Sequence, residues 1–368
     1  MIPVNTPLLN GNEKRYLAEC LDSGWISSEG PFVARFEQEF SAFSRRRQGI
    51  AVANGSGALD IAVAALRLKP GDEVIMPAFT IISCAQAVTR SGAIPVLVDS
   101  NPDDWNMAAA QIEEKITART KAIMTVHIYG LTVDMAEVTR LAEKYDLQII
   151  EDAAQAIGQT HNQHPCGSFG DLSVFSFYPN KHLTTGEGGM VLTDTPELAE
   201  RCRSLRNLCF QEDRRFVHEE LGWNYRMTNL QAAVGCAQLE KIADHLQRKR
   251  AMGRLYQELL TDLPLQLPLP ATSATENLYW VFGVVLPDEF PADAATIMAR
   301  LAERGIGSRP FFWPMHEQPV FRAQGLFIDQ HFPVAERLAR RGFYLPSGLA
   351  LTNQEIRQVA TTLKEVLR

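Results

Sequence analysis

SFYPNKHLTTGEGGMV, running from Ser176 to Val191, sets one lysine between a strand-like run and a loop with three glycines. A solvated surface lysine needs no such setting. An amine in a sheltered pocket has a depressed pKa and can form a Schiff base. Ser176, five residues before Lys181, can hydrogen-bond a phosphate. Thr184, Thr185 and the glycines let the backbone turn closely around a bound ring. A single lysine proves little, so the reading depends on what stands upstream of it.

Two upstream stretches matter. NGSGALDIAVAAL (54–66) is a Gly/Ser turn that opens a helix, and free N–H groups at a helix start bind anions, phosphate above all. IIEDAAQAIG (149–158) ends a strand with two acids, which puts Asp152 at the strand's C-terminal end. A carboxylate buried there needs a cationic or donor partner, and a protonated heterocyclic nitrogen would serve. Taken singly, the first is also an ordinary capped helix and the second an ordinary N-cap aspartate. Taken in order, they give a phosphate cradle, a strand-end aspartate and a lysine about thirty residues on. That order is the one expected for pyridoxal 5'-phosphate (PLP) in a fold-type I enzyme.

The wider chain agrees. DEVIMPAF (72–79), IPVLVD (94–99), AIMTVHIY (122–129) and LQIIEDAA (147–154) read as buried strands, and MAEVTRLAEKY (135–145) as an amphipathic helix. Apolar strands separated by helices predict a largely parallel sheet with ligands beyond the strands' carboxyl ends. Phe79, Asp99 and Asp152 fall at those ends. From Leu239 the pattern changes to one long charged helix, LEKIADHLQRKRAMGRLYQELLTDL, and then the proline-rich LPLQLPLP (263–270). LYWVFGVVLP reads as a strand, AATIMARLAERGIG and LTNQEIRQVATTLKEVL as helices. The predicted organisation is α/β: a large PLP-binding domain over 1–240 with a mostly parallel mixed sheet, and a smaller α+β domain over 241–368 joined through the long helix.

Bulk composition excludes several classes. The 368 residues are 46% hydrophobic and 21% charged, which suits a globular protein of two domains. A net charge of −7 gives no support to nucleic-acid binding. Cys20, Cys84, Cys166, Cys202, Cys209 and Cys236 form no CxxC pair, so neither a zinc site nor a disulfide framework is expected. The N-terminus lacks a signal peptide's basic start and apolar run, and no stretch is apolar enough to span a bilayer. A cytoplasmic protein with no metal and no membrane partner is the expectation.

The whole chain resembles the sugar aminotransferases of the DegT/DnrJ/EryC1/StrS family. The matching stretches are WISSEG (25–30), NGSGAL (54–59), GDEVIMPAFT (71–80), TKAIMTVHIYG (120–130), IIEDAAQAIG, SFYPNKHLTTGEGGMV, GWNYRMTNLQAAVG (222–235) and ERGIGSRPFFWPMH (303–316). WISS, NYRMTN and RPxFxPxH are similar to the branch that aminates C4 of GDP-4-keto-6-deoxymannose to give GDP-perosamine.

The resemblance implies an aspartate aminotransferase-like fold and a set of roles. Lys181 bonds the cofactor as a Schiff base. Asp152 pairs with the pyridine nitrogen, and Gln155 lies near the phenolic oxygen. Ser56, Gly57 and Ser176 hold the phosphate. Asn224 reaches the phosphate in the neighbouring subunit, so a homodimer with shared active sites is implied. L-Glutamate is the implied amino donor, in ping-pong chemistry, and surface-glycan (lipopolysaccharide O-antigen) precursor synthesis the implied pathway. Both substrates are anionic, which makes Arg226 and Arg309 candidates for their phosphates or carboxylate. Ser27, His182 and His316 are further candidate substrate contacts, although capping, loop and interdomain roles fit them equally well. PAFTII departs from the family, which usually has an aromatic residue where Ile81 stands; either Ile81 or Phe79 covers the ring. Gln155 follows the wider family, where the perosamine branch often has glutamate.

Three other readings stay open. One is a UDP- or dTDP-linked keto-hexose as substrate. PLP sugar dehydratases replace the lysine with histidine, whereas here His182 follows Lys181 without replacing it. Non-catalytic PLP-binding regulators carry an attached DNA-binding module, and the aminotransferase-like span runs the length of this sequence.

Overall fold

The computed structural model describes residues 1–211 and 213–368. Its main sheet has seven strands: β1 (Gln48–Val52), β2 (Glu73–Pro77), β3 (Ile94–Val98), β4 (Thr120–Val126), β5 (Gln148–Asp152), β8 (Leu172–Ser176) and β9 (Gly189–Thr193). A two-residue hairpin, β6 (Thr160–His161) with β7 (His164–Pro165), stands apart. The sheet order is β1-β9-β8-β5-β4-β2-β3. β9 pairs antiparallel with both neighbours, and every other pairing is parallel. The sheet is therefore parallel except for one reversed strand.

Near-continuous apolar runs produce this sheet because both of its faces are covered. On β8, Leu172 and Val174 join the core under the helix Gly55–Ala65, while Phe175 faces the opposite core. In that second core Phe40 meets Phe175 and Phe177 edge-on at 4.9 and 5.0 Å between ring centroids. Burying each ring contributes about 2–3 kcal/mol. Phe175 and Phe177 flank Ser176, so this packing fixes the backbone that presents Ser176 and leads to Lys181.

The sheet's C-terminal edge gathers the residues of interest. Asp152 ends β5 and Ser176 ends β8. Asp99 follows β3 but has a different task. Its carboxylate accepts from the N–H groups of Val334 and Ala335 at 3.1 and 2.9 Å, capping the helix Pro333–Arg341.

The long helix read from Leu239 onward is the single helix Ile242–Leu260, and a separate helix, Asn229–Leu239, ends just before it. The chain steps out at Lys241 (φ −104°, ψ 4°). Glu240 is held there by Asn12, Tyr16 and Arg35, all from the N-terminal helices. A periodicity argument cannot see such a tertiary pull.

The C-terminal sheet is antiparallel, in the order β10 (Phe282–Val285), β12 (Gly342–Leu345), β11 (Arg309–Pro310). Its core joins Tyr256, Phe282, Leu301, Ile356 and Leu363. Ile2 belongs to the same core and pairs with Ile306, so the first residues of the chain pack with its last third. Phe321, Phe332 and Leu338 pack into the core of the main sheet instead. Among the described residues, no helix is long and apolar enough to cross a membrane.

Candidate active site

One cavity of about 690 Å³ collects Ser56, Asp152, Gln155, Ser176 and Lys181. They arrive from three segments: the start of the helix Gly55–Ala65, the end of β5 with the turn after it, and the end of β8 with the loop after it. Tyr178, Trp280, Phe312 and Tyr344 form aromatic walls around them.

At one end stands the N-terminus of the helix Gly55–Ala65. The Asn54 side chain caps it, accepting from the Gly57 N–H at 2.8 Å. Gly57 is therefore buried and its donor is used, which corrects the expectation that it holds phosphate. The N–H groups of Gly55 and Ser56, in the helix's first turn, have no intrahelical acceptor. The Ser56 and Ser83 hydroxyls lie 2.7 Å apart beside them. A Cβ on Gly55 would stand 2.6 Å from the Ser176 Cβ, so only glycine lets β8 close on this turn. Two free amides, three hydroxyls and a helix N-terminus make an anion cradle of phosphate type.

Across the cavity lies Asp152, 2% exposed. Burial pushes its carboxyl above the usual range, against a bond from the Ala154 N–H at 3.0 Å and one from the Cys84 thiol at 3.3 Å. Lys181 opposes the shift as well. A carboxylate held this way would gain from a cationic partner such as a ring N–H⁺. Gln155 has its carbonyl oxygen fixed by the Tyr129 N–H at 2.9 Å, so its NH₂ end is the one available to a ligand.

Lys181 stands between the two ends. It keeps part of its surface open to the cavity, yet lost hydration draws the amine down to about 7, with Asp152 resisting. Such an amine is part neutral at neutral pH and can act as nucleophile and base. Phosphate cradle, amine and acidic partner for a ring nitrogen fit PLP. When bound, Ser56, Ser176 and Gly55 would hold its phosphate, Asp152 its ring nitrogen and Lys181 its aldehyde carbon.

The Ile81 question has an answer in the packing. Ile81 is 40% exposed and lines the cavity, whereas Phe79 is wholly buried among Tyr129, Phe311 and Phe312. Other expected contacts lie elsewhere. His182 is fully buried outside the cavity lining, with neither ring nitrogen partnered, and burial drives its imidazole well below the ordinary value. It cannot touch substrate from there, which corrects that expectation. His316 is also buried, its Nε2 3.0 Å from Glu336, and serves packing of the C-terminal helices rather than this cavity. Arg309 lines an adjoining cavity that shares Tyr178, Asn180, Trp280 and Tyr344 with the first. Arg226 lines a separate basic cavity with Arg203, Arg206 and Arg215. Its Nε donates to Asn224, which is exposed, at 2.9 Å. Ser27 is exposed and lines neither cavity; its carbonyl accepts from the Asn229 N–H.

Gly55, Ser83, Trp280, Phe312 and Tyr344 were not singled out from the sequence. NGSG carried a signal for Gly55, misread by two positions because the cap decides which N–H stays free. Trp280 and Tyr344 come from the last third of the chain without any motif.

Comparison with known proteins agrees with this geometry. The model of the DegT/DnrJ/EryC1/StrS aminotransferase family matches residues 7–364. The chain belongs to that family. It is a PLP-dependent sugar aminotransferase with the α/β fold of these enzymes. The chain is 40% identical over 367 residues to a GDP-perosamine synthase of Caulobacter vibrioides, covering 100% of this chain and 98% of that one. It is 38% identical over 364 residues to a GDP-perosamine synthase of Vibrio cholerae, with 99% and 98% covered. Among solved structures, the aminotransferase TlmJ from Streptoalloteichus hindustanus superposes with a TM-score of 0.92 at 29% identity, over 100% of this chain and 99% of that one. DesV of S. venezuelae gives 0.89 at 32%, with 99% of each chain covered.

Proposed function

We propose that this aminotransferase moves the amino group of L-glutamate onto C4 of GDP-4-keto-6-deoxymannose, giving GDP-perosamine. The observation that carries the reading is end-to-end similarity, at 38–40% identity, to three proteins named GDP-perosamine synthase, from Vibrio cholerae, Caulobacter vibrioides and Escherichia coli O157:H7. The cavity is consistent with it. PLP supplies the electron sink that lets an amine and a carbonyl be exchanged.

The chain's own residues do the rest. With the cofactor bound, Lys181 would take the proton from the α-carbon of glutamate and deliver it to the cofactor carbon that carried the aldehyde. Asp152 keeps the ring nitrogen protonated. Ser56, Ser176 and the Gly55 amide anchor the phosphate, so the reacting carbons stay in one place through both halves of the reaction. Trp280, Phe312 and Tyr344 wall the cavity around the amine. Arg309, at the adjoining cavity, is our candidate for the sugar nucleotide's phosphates. Arg226 and Asn224 are assigned to a neighbouring subunit's site in a homodimer. The enzyme would work in the cytoplasm, where its six thiols stay reduced, and feed surface-glycan synthesis. The division into domains at residue 240 remains part of this proposal.

Supply the enzyme with ¹⁵N-labelled glutamate and, separately, the GDP-, UDP- and dTDP-linked 4-keto-6-deoxy sugars. Mass spectrometry should find the label in the GDP sugar alone. Label only in a UDP or dTDP sugar would keep the reaction class and replace the substrate.

A further inference from the structure

Lys181 does not stand alone in its cavity: its Nζ lies 3.7 Å from the centroid of the Trp280 ring. Trp280 comes from the segment that leads into β10, far along the chain from Lys181, and is 4% exposed. Both ends of the residue are clamped. Its indole N–H donates to the carbonyl of Asn180, the residue just before Lys181, at 2.8 Å. Its own carbonyl accepts from the buried amine of Lys249 at 2.7 Å. Lys249 also donates to the Ser347 carbonyl, tying the ring's backbone to the loop after β12. A surface tryptophan making a chance contact would have neither restraint.

We propose that Trp280 is a positioning residue for the catalytic amine, its indole face being the berth that receives Lys181 whenever that amine is not bonded to the cofactor. The argument is electrostatic and geometric. The face of an indole is electron-rich and attracts an ammonium within about 6 Å. Transamination frees this amine in each half-reaction, protonates it and then needs it deprotonated again at the same place. A carboxylate alone would hold the proton too firmly and draw the amine toward the ring nitrogen's partner. An aromatic face holds the cation without accepting its proton. The bond to Asn180 makes the berth move with the loop that carries Lys181.

The titratable groups facing the amine are Asp152 from β5, Tyr178 and Glu187 from its own loop, and Tyr344 from β12. Behind lie His182 and Lys249. Asp152 and the ring both favour the charged amine, while burial opposes it. Weakening the ring's face without changing its shape should therefore let the amine lose its proton at lower pH.

Fluorination does this. Tryptophan carrying one, two or three ring fluorines is placed at position 280 in the full-length protein. The cofactor is removed, and PLP is added back at a series of pH values. The rise of the Schiff-base absorbance gives a rate whose pH midpoint reports the neutral amine. The midpoint should fall stepwise with fluorine count, by about half a unit or more for the trifluorinated ring. Unchanged midpoints would overturn the proposal. So would an equal shift when the same residues replace Trp313, which lies outside the cavity. Trp280→Phe, which keeps a smaller face and loses the N–H bond to Asn180, should bind PLP but, at a pH above both midpoints where the amine is neutral in each protein, form the Schiff base several-fold more slowly; an unchanged rate there would count against the clamp. If the unmodified enzyme forms no such band, the assignment of Lys181 fails, and the berth with it.

Discussion

Asp152 must stay charged while buried, and the residues around it show how. Two donors, the Ala154 N–H and the Cys84 thiol, occupy its oxygens without a full counter-charge. In the proposed site the ring nitrogen of the cofactor would complete the set. Asp152→Asn keeps the shape and removes the charge. It should slow the glutamate half-reaction about 10²–10³-fold, in line with loss of one preorganised electrostatic contact. Its melting temperature should stay near or above that of the parent, because an uncompensated buried charge has gone. A stopped-flow rate within threefold of the parent would contradict the role. Lys181→Ala should abolish turnover and leave the circular dichroism spectrum unchanged; normal transamination by that variant would sink the mechanism. The structure brings these two residues into one cavity, and each sits at a point marked in the sequence, a strand end and a glycine-rich loop. His182 was misread because adjacency to Lys181 says nothing about direction. Both lie in a bend, and there the His182 ring turns into the core.

At the scale of elements, the helix Gly55–Ala65 is our proposed phosphate cradle, and its cap decides which amides are free. Asn54→Ala removes the bond to the Gly57 N–H, which should destabilise the protein by about 1 kcal/mol. The freed turn should also bind PLP less tightly, as equilibrium dialysis would report. Unchanged affinity would mean the cap is only structural. Gly55→Ala should be harsher, because its Cβ would lie 2.6 Å from that of Ser176 and one of the two segments must move. We expect at least a tenfold loss of cofactor affinity from it, a misplacement effect of the size that small displacements in active sites produce. The sequence marked this helix and Met135–Tyr145 well, since caps and periodicity are local. It set the start of the helix Ile242–Leu260 three residues too early, at Leu239, because Glu240 answers to residues near the chain's start.

For the molecule as a whole, Lys249 links the helix Ile242–Leu260, the segment before β10 and the loop after β12. Burial lowers its amine to about 7, from an ordinary value of 10.5. Between these values the unfolded chain binds a proton that the folded one does not. Stability should therefore rise with pH across that window and level off at its lowest below pH 7, where both states hold the proton. Lys249→Met lacks this contribution. Its destabilisation relative to the parent, measured by urea unfolding, should grow from pH 7 to pH 8.5 by about 1–2 kcal/mol. A difference that does not change with pH would contradict the assignment. Nothing in the sequence distinguished Lys249 from its charged neighbours in QRKRAMGR, because a helix pattern does not say which lysine turns inward. The same blindness hid Ile2, whose place in the C-terminal core depends on long-range closure.

The most direct test is a two-stage absorbance titration of the PLP-loaded enzyme. L-Glutamate is added first, then GDP-4-keto-6-deoxymannose. The account predicts that glutamate removes the Schiff-base band and that the GDP sugar restores it. A band that glutamate leaves untouched would contradict the proposed donor. A band restored only by a UDP- or dTDP-linked sugar would contradict the proposed substrate.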